Sequence, residues 1–351
     1  MSHFCGRLST ILSRPLAQRS LFHSQSVLYG PRVVATRKLL PESQARLEAQ
    51  GFDLVQWKED ASMPRDLLLK EVKGADALLC VLSDKIDKEV FTTAGPQLKL
   101  VTTMSVGYDH IDLATARETE TKIGYTPDVL TDATADLTVM LTLAAARKMK
   151  QSVRAAETGE WREWRPDWLC GSQFTNRTLG VVGLGRIGEA VASRLKAFGI
   201  GEVLYWGRNK KPVVEAKLNA KLVSMDTLLA DSDYIVVCCA MTPDTKELFD
   251  YEAFSKMKKS AIFVNTARGG IVKQDDLVRA LDEKLIAGVG LDVTTPEPLP
   301  IDHALFKFPN CVILPHLGSA TVEAREEMGQ MCIENIVAAL DDKAIPFGLR
   351  L

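Results

Sequence analysis

The sequence has no CxxC pair, no acidic residue before Glu42, no charge excess of either sign, and no uncharged apolar run near the ~20 residues that a membrane-crossing helix needs. Each absence excludes a class. A net charge of −2 over 351 residues provides no field for a nucleic-acid backbone, so neither nucleic acid nor membrane is an expected partner. Seven cysteines, an odd number, sit mostly inside apolar runs such as "ALLCVL", "YIVVCCA" and "CVILP". They read as small core residues in a reducing compartment, not as bridges or metal ligands. No His, Cys or carboxylate cluster has ligand spacing, so no metal is expected. No short-period repeat is present. What remains, 46% hydrophobic and 25% charged, is the composition of a soluble globular chain long enough for two domains.

The first thirty residues differ from the rest. They hold Arg7, Arg14 and Arg19, several serines and no acid, the composition of a transit peptide. "RSLFHS" resembles a mitochondrial processing site. Residues 1–30 are therefore expected to be a presequence that directs the chain to the mitochondrial matrix, with a cytoplasmic form if it is absent or unused. A disordered start is the alternative.

From Arg32 onward, short β-type runs alternate with helical stretches: "RVVATR", "DLVQW", "ADALLCVLS", "LKLVTTMS", "KIGYTP". A long helical pattern follows, from Thr131 to Gly159, with Thr131 or Asp132 as N-cap. The alternation then restarts with "TLGVVGLG", "EVLYW", "KLVS", "YIVVCC", "AIFVNT", "IAGVGLDV" and "CVILP". Two α/β units with parallel sheets, joined by one helix, are predicted. The last helix, Thr321 to Leu340, has an alanine-rich apolar face suited to returning onto the first unit.

Gly183, Gly185 and Gly188 form G-x-G-x-x-G between a strand-like run and the helical pattern "RIGEAVASRLKAFG". The first glycine permits a tight turn, the second the approach of a pyrophosphate, and the third close helix-strand packing; Arg186 and Ile187 open the helix whose N-terminus faces the phosphates. About 20 residues further on, a carboxylate would bind the ribose 2′-OH of NAD. Here the place holds Arg208, followed by Asn209, Lys210 and Lys211. A guanidinium suits a 2′-phosphate, so NADPH/NADP is the preferred cofactor and NADH/NAD the weaker one. A solvated basic loop is the alternative.

Arg268, Glu297 and His316 each follow a strand-like run of the second unit, and in open α/β sheets such positions converge on the ligand. Together they suit reduction of a 2-oxo acid. Arg268 would hold the carboxylate and polarise the keto oxygen, His316 would donate a proton, and Glu297 would favour the protonated imidazole. Taken singly, each also reads as a surface ion pair, a loop charge or a turn cap.

With "TMSVGYDHID", "GYTPDVLTDATADLTVMLTLAAAR", "WLCG", "GVVGLGRIGEAVASRLKAFG", "NTARGGIV", "AGVGLDVTTPEPLP" and "CVILPHLGSAT", the sequence resembles the D-isomer-specific 2-hydroxyacid dehydrogenases, and among them the glyoxylate reductase/hydroxypyruvate reductase branch. The resemblance spans Arg32 to the C-terminus. It implies an Arg/Glu/His triad at Arg268, Glu297 and His316, and carboxylate binding by the backbone N–H groups of Val106 and Gly107. It places Thr266 and Asp292 beside the nicotinamide, with Asp292 accepting from the carboxamide. Gly318 and Ser319 line the same cleft, and Ala240 contributes backbone only. Tyr108 stands where an aliphatic residue is expected.

Three tryptophans, Trp161, Trp164 and Trp168, fall in "GEWREWRPDWLCG". The resemblance implies that this stretch belongs to a homodimer contact and that Trp164 reaches the partner's substrate pocket; burial in its own chain is the alternative. It further implies two Rossmann/flavodoxin-like doubly wound parallel-sheet domains with a cleft between them. Residues 31–129 and 322–351 form a discontinuous substrate-binding domain, and 130–321 an inserted NADP-binding Rossmann domain. The implied activity is NADPH-dependent reduction of glyoxylate to glycolate and of hydroxypyruvate to D-glycerate. The rivals are an NAD-dependent dehydrogenase of another D-2-hydroxy acid, such as phosphoglycerate, and a dinucleotide-sensing transcriptional co-repressor on the same fold.

Overall fold

Short apolar runs of three to five residues, too short to bury a helix, become strands, most of them buried on both faces. In the computed structural model, which describes residues 30–351, the first five are β1 (Arg32–Ala35), β2 (Asp53–Gln56), β3 (Ala77–Cys80), β4 (Leu100–Thr103) and β5 (Lys122–Gly124). They form one sheet in the order β2-β1-β3-β4-β5. Seven more follow: β6 (Thr178–Val182), β7 (Glu202–Trp206), β8 (Ala220–Leu222), β9 (Tyr234–Val237), β10 (Ile262–Asn265), β11 (Gly288–Leu291) and β12 (Cys311–Ile313). Their order is β12-β11-β10-β9-β6-β7-β8. All pairings are parallel. Both sheets are doubly wound, and the strand order reverses at β1/β3 in the first and at β6/β9 in the second, the places where such folds bind ligands. The presequence-like segment lies outside the described residues.

The register of the second sheet sets the site. Val182 pairs with Val237, Val237 with Asn265, Asn265 with Leu291, and Leu291 with Ile313. The residues that follow these strands therefore leave the sheet in a row along one edge: Gly183, Cys238, Thr266, Asp292 and Leu314.

The predicted long helix is two. The crossover helix Thr131–Ala146 packs on the helix Arg186–Ala197 and on β10 and β11; the chain then turns at Lys148, in the left-handed region with φ 53°, before the helix Met149–Glu157. Its N-cap is Leu130, with no side-chain cap, so neither Thr131 nor Asp132 serves. The buried Thr138 and Thr142 hydroxyls donate to the carbonyls four residues back, which satisfies them inside an apolar layer. The C-terminal helix Val322–Leu340 is capped by Thr321, whose hydroxyl accepts the Ala324 N–H, and it returns to pack on β3, β4 and β5. Cys80, Cys311 and Cys332 are buried and Cys238 and Cys239 half-buried, but Cys170 is exposed, against the expectation of a core residue: it lies in the irregular stretch after the tryptophans, which no sheet covers.

Candidate active site

β6 runs into Gly183, whose φ of 96° only glycine adopts freely, and a Cβ there would press on the Cys239 backbone. At Gly188 a Cβ would collide with the Gly183 carbonyl, which is the close helix-strand packing that the motif requires. Beside Gly185 there is nothing within 4 Å of the place a Cβ would take. The backbone there is open, and the helix Arg186–Ala197 points its N-terminal N–H groups and positive dipole at that space. These features fit the pyrophosphate of a dinucleotide.

A cavity of 510 Å³ opens beside this turn, with walls from both sheets. Val106 and Gly107, on the loop after β4, form one wall; Arg268 and His316 form the other; Gly185, Arg186 and Ile187, from the glycine turn, line it as well. Thr266, Asp292, Gly318, Ser319 and Ala240 also line it. Neither the Val106 nor the Gly107 N–H donates to an acceptor among the described residues, so both remain available to an anion.

Arg268, Glu297 and His316 follow β10, β11 and β12. His316 Nδ1 lies 2.8 Å from Glu297 Oε2, and the Thr294 N–H donates to Glu297 Oε1 at 3.0 Å. Desolvation pushes the Glu297 carboxyl up, but the hydrogen bond and charge of His316, the Thr294 N–H and the Arg268 charge outweigh it and hold the group below the ordinary carboxylate range. Glu297 thus stands behind the histidine instead of lining the cavity.

Asp292 has a structural task beside the one the resemblance implies. It lines the cavity but is 1% exposed, and its two oxygens accept the N–H groups of Leu317 at 2.7 Å and Gly318 at 2.8 Å, while its carbonyl accepts the His316 N–H at 2.9 Å. Burial raises its pKa despite those donors. Its carboxylate therefore builds the turn that carries His316, itself in the left-handed region with φ 56°. The crossover helix braces the same edge: Thr134 Oγ1 donates to the Gly318 carbonyl at 3.1 Å, and Thr138 and Thr266 hydroxyls meet at 2.8 Å.

The basic loop is exposed. Arg208, Asn209, Lys210 and Lys211 extend beyond β7, next to β6, and Arg208 forms no ion pair among the described residues. Trp164 is 83% exposed, so it is not buried within its own chain, and it is not part of this chain's cavity.

Several lining residues escaped the sequence reading. Asp109 accepts from Arg268 Nε at 3.0 Å across the cleft, a pairing over 159 positions that no local pattern announces. Tyr125, which Tyr108 meets edge to face with centroids 6.1 Å apart, lines the cavity too, and Leu349, near the C-terminus, reaches it because the Leu349 N–H donates to the Ile123 carbonyl in β5. The only signal for Asp109 was its position two residues after Gly107.

Residues 139–318 match the family model described as "D-isomer specific 2-hydroxyacid dehydrogenase, NAD binding domain". The chain is 45% identical over 321 residues to a human protein named glyoxylate reductase/hydroxypyruvate reductase, covering 91% of this chain and 98% of that one. It is 43% identical over 312 residues to a glyoxylate reductase of Pyrococcus horikoshii, covering 88% and 92%. Among solved structures, a Thermus thermophilus protein superposes with a TM-score of 0.85 at 41% identity, covering 91% of this chain and 100% of that one. An NADPH-dependent glyoxylate/hydroxypyruvate reductase of Sinorhizobium meliloti, in complex with NADP and malonate, superposes with a TM-score of 0.77 at 28% identity, covering 91% and 96%.

Proposed function

The chain belongs to the D-isomer-specific 2-hydroxyacid dehydrogenase family, NAD(P)-dependent oxidoreductases, and from that premise we propose that it reduces glyoxylate to glycolate and hydroxypyruvate to D-glycerate, with NADPH preferred over NADH. The observation that carries the reading is the hydrogen-bonded His316–Glu297 pair at one cavity with Arg268. When bound, the nicotinamide supplies a hydride to the keto carbon. Arg268 holds the substrate carboxylate and polarises the keto oxygen, while the N–H groups of Val106 and Gly107 take the carboxylate from the opposite wall. With Nδ1 engaged by Glu297, His316 presents Nε2 to the keto oxygen and donates the proton there. Glu297 offsets the charge of the imidazolium. Thr266, Asp292, Gly318, Ser319 and Ala240 wall the nicotinamide side, and Asp292 also holds the histidine turn.

The preference for NADPH rests on Arg208, which with Asn209, Lys210 and Lys211 presents positive charge where a carboxylate would repel a 2′-phosphate. Residues 31–129 with 322–351 act as the substrate domain and 130–321 as the cofactor domain, and closure about Val129 and Thr321 excludes water. A homodimer is proposed from the exposed Trp164 and from an apolar groove between the crossover helix and its neighbours, where Met140, Met149 and Phe198 are 43%, 51% and 51% exposed. The arginine-rich, acid-free start supports import into the mitochondrial matrix, which fractionation of cells expressing the full chain tests. The activity is tested by steady-state oxidation of NADPH and of NADH with each acid. Rapid turnover with NADPH is expected; turnover with NADH alone overturns the cofactor reading, and none with either acid overturns the substrate reading.

A further inference from the structure

The Arg268 guanidinium is held from two sides. Its Nε donates to Asp109 Oδ1 at 3.0 Å, and its Nη1 donates to the Ala267 carbonyl at 2.8 Å. The remaining nitrogen, Nη2, lies against Gly107, where a Cβ would overlap it. A guanidinium fixed through Nε cannot turn its fork away, so Nη2 stays extended across the cleft to the wall that carries the unengaged Val106 and Gly107 N–H groups. The acid and the arginine come from opposite walls: Asp109 follows β4 of the first sheet and Arg268 follows β10 of the second. Both side chains are partly exposed, 28% and 22%, so water reaches the pair and the contact can open with the cleft.

The loop that carries Asp109 is stiffened around it. Ser105 Oγ donates to the Gly107 carbonyl at 2.5 Å, Thr103 and Ser105 hydroxyls meet at 3.1 Å, and His110 Nε2 lies 2.9 Å from Thr103 Oγ1. Asp109 is thereby held between a braced glycine and a braced histidine. We infer that Asp109 is a positioning residue for the reaction: it aims the Arg268 guanidinium at the substrate carboxylate and, by bridging the two sheets, couples that aim to closure of the cleft. Asp109 acts through Arg268 and need not touch the substrate.

The inference rests on the 2-oxo acid reduction proposed above. The test compares wild type, Asp109→Asn and Asp109→Glu with glyoxylate and NADPH, measuring kcat, both KM values and the melting temperature. Asp109→Asn keeps the shape but removes the charge and one good acceptor. Its kcat/KM for glyoxylate should fall about a hundredfold, the scale of an active group misplaced by about an ångström. The KM for NADPH and the melting temperature should stay close to wild type, and Asp109→Glu should recover part of the loss. An unchanged kcat/KM in Asp109→Asn overturns the inference, as does an equal loss of NADPH affinity and melting temperature, the mark of a purely structural contact. A wild-type protein that reduces no 2-oxo acid overturns both the inference and the function beneath it; the two failures are distinct because only that one is seen without a variant.

Discussion

Glu297 Oε2 and His316 Nδ1 stand 2.8 Å apart, and the second carboxylate oxygen accepts the Thr294 N–H, so one acid, itself held in place, fixes the orientation of the imidazole. Because the Glu297 carboxyl titrates below the ordinary carboxylate range, it is ionised from that range upward. The stability that its ionised form contributes is present above the unfolded value and is lost as pH falls through the folded one. Glu297→Gln keeps an acceptor but removes the charge. Its kcat for reduction should fall about a hundredfold, while the KM for NADPH stays close to wild type. A wild-type kcat in this variant would count against the pair.

His110 shifts stability in the same direction, but through its neutral form. Burial lowers its pKa from 6.5 to about 4, with Asp109 opposing the shift and Arg268 reinforcing it. The folded ring therefore stays neutral down to about 4, while the unfolded chain binds a proton below 6.5, and stability falls as pH drops through that window by up to about 3 kcal/mol. His110→Gln keeps a polar partner for Thr103 and removes the titration. Urea midpoints measured from 6.5 down to about 4 should fall less steeply in the variant. Parallel slopes for the two proteins would show that His110 does not titrate in this range.

Every strand was legible because each is a short apolar run bounded by polar residues, and the glycine fingerprint was legible because its three glycines stand between such a run and a helical pattern. What sequence could not give was the far partner. Asp109 finds Arg268 from another sheet, and Leu349 reaches the cavity from the end of the chain. Asp292 also braces a turn 25 and 26 positions away, whose N–H groups its two oxygens accept, and no local pattern announces that role. The break at Lys148 was hidden because a lysine in the left-handed region has no compositional mark, and the helical periodicity continues on both sides of it.

The exposed Arg208 gives a cofactor prediction that is separate from the chemistry. Arg208→Asp exchanges a partner for a 2′-phosphate for a partner for a 2′-hydroxyl. The KM for NADPH should rise about tenfold to a hundredfold, the equivalent of roughly 1–3 kcal/mol for a charged contact, and the KM for NADH should fall. The kcat with saturating NADPH should change little, because the residue lies beyond β7, away from Arg268 and His316. Unchanged constants for both cofactors would reduce "GRNKKP" to a solvated loop.

Trp164, 83% exposed, contributes little to the packing of its own chain, so Trp164→Ala should leave the melting temperature of an isolated subunit unchanged. If the ring enters a neighbour's substrate pocket, the variant should still associate through the apolar groove but lose discrimination between glyoxylate and hydroxypyruvate. Met140→Lys tests the groove itself. Met140 is 43% exposed in the single chain, so a lysine there is tolerated in the monomer, whereas a desolvated ammonium facing a second apolar groove is not. Sedimentation should find wild type and Trp164→Ala as dimers and Met140→Lys as monomers with altered substrate preference. Monomeric wild type would remove the dimer. Dimeric Trp164→Ala with unaltered preference would keep the dimer but leave the tryptophan outside the neighbour's pocket.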